Sequence, residues 1–332
     1  MSAIIKIKKL GFQWETQDPF LFCAYHKDNY PPGNKNLGPN PDLLKGRYIG
    51  QDFTLKDGWR MYHGVKVPGF PAHPHSGFET VTLVEEGFAD HSDSLGAAGR
   101  FGNGDVQWMT AGKGVMHCEM FPLLNKDKNN PLLLFQLWLN LPKRSKKVDA
   151  HFRMLWKEEI PVVNEIGIQI KIIAGKYKDT QAPAPTPNSW AADATNEVAI
   201  WTIKMEAGAS WDIPTASEGI HRTLFFYRGN EIETEGFSIP QQHALDLIPT
   251  EKITITNGDT PSELLFLQGK PIGEPVVQQG PFVANTREGI NETISQYQKD
   301  QFGGWPWPSH EHVHHAKRGR FAIHADGREE IK

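Results

Sequence analysis

The chain has 332 residues, 39% hydrophobic and 22% charged, which excludes a wholly disordered or collagen-like protein and leaves length for two domains with real cores. The net charge of −4 differs from the basic balance of a protein that coats nucleic acid, so no direct nucleic-acid contact is expected. The two cysteines, Cys23 and Cys118, make no disulfide framework, and no apolar run approaches the roughly 18 residues of a membrane span, so a cytoplasmic protein with no membrane contact is expected.

The opening MSAIIKIKK lacks the unbroken apolar run of a signal peptide. Short runs rich in Val, Ile, Thr, Phe and Trp, set apart by Gly, Asn, Asp or Pro, predict strands at 80–85, 105–110, 132–139, 168–173, 197–205, 223–227, 252–256 and 263–268. Helices are expected only at 152–159 and 286–299. The fold class is therefore all-β, barrels or sandwiches with few short helices. The polar stretch 90–93 (DHSD) reads as a solvated turn. The basic stretch 142–149 (PKRSKKVD) reads as a solvated linker between two β-units, and 181–187 (QAPAPTP) as a stiff loop. Domains are expected at 1–142 and 151–285, joined by a linker at 143–150 and followed by a helix and His/Trp-rich tail at 286–332. That tail holds five of the fourteen histidines, among them His310, His312, His314 and His315, and is expected to lie over a domain surface.

The chemistry is concentrated in two segments. In GFPAHPHSGFETV, His73 and His75 stand at i and i+2, so in a strand both rings project from one face. In GDVQWMTAGKGVMHCE, His117 and Glu119 repeat that spacing, whereas Cys118 between them points away and is expected to pack. If the two strands face each other, three imidazoles and a carboxylate converge. That donor set suits a divalent transition metal such as iron, manganese, nickel, copper or zinc, with positions left open for substrate and O₂. Trp108 and Met109 read as strand core, and the Gly112-Lys113-Gly114 turn lacks the spacing of a phosphate loop.

The segments HPHSGFETV (73–81), GDVQWMTAGKGVMHCE (104–119) and EPVVQQGPFVANT (274–286) resemble the pirin family within the cupin superfamily, and the likeness runs from about His73 to Arg320. The resemblance implies a bicupin: two jelly-roll β-barrels face to face, with metal only in the N-terminal one. It implies iron held by His73, His75, His117 and Glu119, with Glu79, a ligand in ordinary cupins, left near the metal. Ser76, Cys118 and the insertion-like 29–45 depart from the usual pattern without removing a ligand. Some bacterial members resemble quercetin 2,3-dioxygenases. The resemblance therefore implies a monomeric enzyme that binds a flavonol or related enediol, opens its ring with O₂ and releases CO. Glu119 or Glu79 takes the hydroxyl proton. The alternative it implies is a non-enzymatic, iron-dependent redox sensor that binds a protein partner.

Overall fold

The computed structural model describes residues 2–332, of which 45% of the chain is strand, and among the described residues there is one α-helix. The chain forms two compact units, one from residues 2–24, 138–140 and 158–273, the other from 25–137, 141–157 and 274–332. Among the described residues no helix is long and apolar enough to cross a membrane.

The first unit holds a seven-stranded antiparallel sheet in the order Ile4–Lys9, His243–Leu247, His221–Arg228, Ser262–Gly269, Ala199–Met205, Ile168–Ala174 and Val162–Glu165. A four-stranded sheet completes it, in the order Ser210–Ile213, Ile253–Asn257, Glu231–Thr234 and Phe237–Pro240. Alternation decides which side chains turn inward: in Ile168–Ala174, Ile168, Ile170 and Ile172 are buried while Gln169 faces water. These residues join Trp201, Trp211, Leu224, Leu264 and Phe266 in one apolar core.

The second unit is also a jelly-roll of two sheets. One runs His151–Leu155, Val106–Thr110, Phe78–Glu86, Asn130–Asn140, Phe20–Tyr30. The other runs Glu329–Ile331, Phe321–Ile323, Ala98–Gly102, Phe88–Asp93, Val115–Met120, Gly69–His75. Val84, Met109, Leu132, Leu134 and Phe152 from the first sheet meet Ala89, Phe101, Val115 and Ala322 from the second. Trp108 and Met109 are core, as expected.

Three expectations change. Residues 151–155 are a strand, not a helix, paired with Val106–Thr110 from His151↔Thr110 to Leu155↔Val106. Phe152 and Met154 turn inward and Arg153 outward, a two-residue period that the sheet edge rewards over helix propensity. The basic linker is not simply solvated, because Lys146 is buried and its Nζ donates to the Gly77 carbonyl at 2.8 Å. Residues 90–93 form no turn: they end the strand Phe88–Asp93, with Asp90, His91 and Ser92 fully buried. The cover comes from the C-terminal tail. Helix Arg287–Asp300 starts on a Thr286 cap and leads into residues 305–318, which cross that strand as a strap. Trp307 Nε1 donates to the Asp93 carbonyl at 2.8 Å, the Ser92 hydroxyl and the His312 ring share a 2.8 Å hydrogen bond, and the His314 amide donates to Asp90 at 2.8 Å. The Glu311 carboxylate accepts the Val65 and Lys66 amides at 3.0 and 2.9 Å and so pins the strap to the loop before Gly69.

Candidate metal centre

His73 and His75 lie on Gly69–His75, and His117 lies on the neighbouring antiparallel strand Val115–Met120, directly across from His73. A register shift between Phe70 and His73 inserts one residue into the first strand, so Phe70 opposes Glu119 while His73 opposes His117. The amide of Ala72 in this bulge finds its partner in the His310 carbonyl at 2.9 Å. After His75 the chain turns at Gly77, whose φ of +86° favours glycine and where a Cβ would lie 1.8 Å from the Val283 carbonyl oxygen.

The result is a cluster in which one ligating nitrogen from each of His73, His75 and His117 lies within 4.8 Å of the others. His75 and His117 are buried, and His73 keeps partial exposure on the open side. His73 Nδ1 lies 2.8 Å from the Pro71 carbonyl, an acceptor only, so Nδ1 carries the proton and Nε2 a lone pair. The His75 ring lies beside the Pro281 backbone. The two Nε2 atoms then face each other across 3.1 Å. A proton on His75 Nε2 donates to the His73 lone pair at this distance; with that proton gone, both lone pairs are placed to meet a cation. His117 Nε2 is buried with no hydrogen-bond partner. Burial also keeps the rings neutral: it lowers His73 to about 4 and, with the neighbouring imidazoles adding to it, His75 and His117 well below the usual histidine range. Neutral rings with free lone pairs are the form that ligates a metal.

Glu119 stands beside the cluster rather than in it, with Oε2 3.9 Å from His117 Nε2. Its carboxylate is held from the facing sheet, by the Thr82 hydroxyl at 3.1 Å and by the Gln136 side-chain amide. Burial raises its pKa, and the Gln136 hydrogen bond pulls it back. Glu79, fully buried, accepts from the Thr110 hydroxyl at 2.7 Å, and the Phe78 ring before it packs on His75 at 5.1 Å. Cys118 points away from the cluster and packs among Val67, Met120, Trp305 and Val313, as its alternation implies. Among the described residues this is the one group of three or more ligating side chains placed to hold a metal; the tail histidines do not form a second.

Sequence reasoning missed two parts of the site. The first is His91, whose Nδ1 lies 3.5 Å from His117 Nδ1. The repeat of His-x-Asp at i, i+2 (His91, Asp93) was its only signal. The second is an aromatic rim beside His73. Phe70 packs on His73 at 6.3 Å, Tyr62 stacks on Phe70 at 5.2 Å, and Phe53 and His63 lie at 6.5 and 5.8 Å from Phe70. Phe53, Tyr62 and His63 come from the stretch between residues 46 and 68. Arg47 shapes it by stacking its guanidinium 3.4 Å over Trp59 and pairing with Asp52 at 3.0 Å.

Comparison with known proteins agrees with this architecture. The family profile described as Pirin matches residues 8–139, and that of the Pirin C-terminal cupin domain matches 200–303. A Pseudomonas aeruginosa protein provisionally named quercetin 2,3-dioxygenase is 35% identical over 241 residues, spanning 70% of this chain and 79% of that protein. Pirin from Rattus norvegicus is 32% identical over 252 residues, covering 73% and 80% of the two chains. The crystal structure of a quercetin 2,3-dioxygenase from Acinetobacter baumannii superposes with a TM-score of 0.72 over 92% of this chain and 99% of that one, at 24% identity, a likeness of fold.

Proposed function

The chain belongs to the pirin family of bicupins, and from that premise we propose that it is a metal-dependent dioxygenase in which His73, His75, His117 and Glu119 hold one divalent cation, iron in our reading. The observation that carries this is the convergence of the three rings, with the Nε2 atoms of His73 and His75 3.1 Å apart beside the unpartnered Nε2 of His117. Three neutral imidazoles and one carboxylate fit a transition metal, and manganese, nickel, copper or zinc would satisfy the same donors. When bound, such a cation would supply Lewis acidity, and iron, manganese, nickel or copper, unlike zinc, would also supply a redox couple for O₂ chemistry.

The chain's own residues do the rest. The rim of Phe53, His63 and Phe70 offers flat ring surface beside the exposed side of His73, which suits a planar flavonol or enediol substrate. Glu119 and Glu79 are the carboxyl groups available to take its hydroxyl proton, and burial raises Glu119, which strengthens it as a base. The buried free thiols Cys23 and Cys118 are in keeping with a reducing cytoplasm. The provisional dioxygenase name of the Pseudomonas relative supports the reaction class.

The test is elemental analysis of untagged protein purified without oxygen, beside His117→Ala. About one iron per chain, lost in the variant, followed by oxygen uptake with flavonols that falls in Glu119→Gln and Glu79→Gln at unchanged metal content, is the expected result. Metal retained by His117→Ala overturns the site. Bound iron without oxygen uptake on any enediol moves the reading to an iron-dependent sensor with a protein partner.

A further inference from the structure

The strand Phe88–Asp93 carries its polar side chains into the interior, and the tail is wrapped over it to keep them there. His91 is fully buried, with its ring against Phe152 at 5.2 Å and its carbonyl 2.9 Å from His314 Nε2. Asp93 pairs in register with His117, and its carbonyl takes the Trp307 indole. Along this strand runs a chain of polar contacts that ends at the histidine cluster. Asp93 Oδ1 accepts the amides of Leu95 and Ala97 at 2.9 and 3.0 Å, and Asp93 Oδ2 lies 3.1 Å from His91 Nε2. His91 Nδ1 in turn faces His117 Nδ1 at 3.5 Å.

The direction of this chain follows from the first group in it. An ionised carboxylate only accepts, so His91 Nε2 must donate. In its neutral form His91 then accepts at the other nitrogen, so Nδ1 carries a lone pair. That lone pair is satisfied only if His117 carries its proton on Nδ1, which leaves His117 Nε2 bare inside the cluster. His73 reaches the same tautomer more simply, by donating to the Pro71 carbonyl. His117 has His91 in the place of such a carbonyl, and an imidazole can present either a donor or an acceptor. Asp93 is the group that settles which.

We propose that Asp93 and His91 are positioning residues that fix the tautomer of His117, directing its Nε2 lone pair at the metal, and that the 305–318 strap exists in part to hold their strand dry. The metal half of this rests on the reading given under Proposed function; the tautomer half does not. Outer partners of ligating histidines act in this way, and their loss costs about 10–100-fold in metal affinity.

The test uses the full chain in a His310→Ala/His315→Ala background, which removes the two exposed tail imidazoles. Long-range ¹H–¹⁵N correlation on metal-free, ¹⁵N-histidine-labelled protein reads the tautomer of His117 directly, with His117→Gln giving the assignment. The expected result is a proton on Nδ1. Competition with a chromophoric chelator then reads Zn²⁺ affinity in His91→Phe and Asp93→Asn. Both variants should bind roughly 10–100-fold more weakly with His73, His75 and His117 unaltered. Asp93→Asn, which can offer its amide to His91, should also shift His117 toward the Nε2-protonated form. A His117 proton on Nε2 in the unmodified site overturns the proposal without needing either variant to fold. So does Zn²⁺ affinity within twofold of the parent in both variants when their thermal transitions are intact. A parent chain that shows the Nδ1 tautomer yet binds neither Zn²⁺ nor Fe²⁺ supports the relay and overturns the metal reading instead.

Discussion

Removing the Arg100 guanidinium should destabilise the second unit more than any surface change could. Its side chain is almost wholly buried and all five of its N–H donors are used. Nε and Nη2 donate to the two oxygens of Asp90 at 2.6 and 2.7 Å, Nη2 also to the His314 carbonyl at 2.9 Å, and Nη1 to the carbonyls of His315 and Arg318 at 3.0 and 2.8 Å. Arg100→Leu leaves Asp90 charged and buried, with the His314 amide still donating to it, and takes the donor from three strap carbonyls. Breaking a buried pair by deleting one partner costs about 3–5 kcal/mol. At about 2–4 °C per kcal/mol for a domain of this size, the thermal midpoint should fall by roughly 6–20 °C. Differential scanning calorimetry measures this, and limited proteolysis should open a new cut within 305–318. Arg100→Leu/Asp90→Leu should recover much of the loss, because an apolar pair of similar volume leaves no charge stranded. A shift below about 2 °C for the single variant would refute the idea that this ion pair locks the strap.

Three other outcomes are expected. In metal-free protein, burial lowers His26 to about 3 and His73 to about 4, and His75 and His117 well below the usual value, so between pH 6.5 and 4 the unfolded chain binds more protons than the fold. Asp28, raised to about 6 by burial, and Glu119, also raised by burial, act in the opposite sense and offset part of the histidine contribution. Urea titrations should therefore show stability falling as pH drops from 6 to 4, by roughly 1.4 kcal/mol per pH unit for each histidine not so offset; a flat or rising profile contradicts this. Cys118, whose thiol burial pushes up to about 12, should resist iodoacetamide in the native protein and react only on unfolding, as mass spectrometry would detect. Native labelling at the rate of a free thiol would show that its packing is wrong. Gly77→Ala must displace backbone at Val283 and so disturb the turn after His75; it should lower both the thermal midpoint and metal affinity, and unchanged values for both would show that the turn is not constrained.

The two histidine-bearing strands were legible because their information is local. His73, His75 and His117 sit on strands whose alternation alone predicts which face they share, and glycines mark the turns between. The all-β class was legible for the same reason. Asp90, His91 and Asp93 were misread because their burial is not local: a run of FADHSD looks solvated until a segment more than 200 residues later covers it. The strand at 151–155 was lost to a helix because FRMLW is too short to show its period against its helix formers. The rim of Phe53, Tyr62 and His63 lies in irregular chain, where no periodicity announces which rings will meet.

The strap has a consequence for how the protein is made. Arg100 and the carbonyl of His315 are 215 residues apart in sequence, so the ribosome finishes the histidine-bearing strands long before it supplies their cover. At about 5–20 residues per second the interval is roughly 10–40 s. During that time the nascent chain holds His73, His75 and His117 but leaves Asp90 and Arg100 wetted and the thiol of Cys118 open to oxidants. A transcript truncated before the codon for Trp305 would make this interim state permanent. The synthesis of the strap, rather than that of the histidine-bearing strands, is what covers Phe88–Asp93.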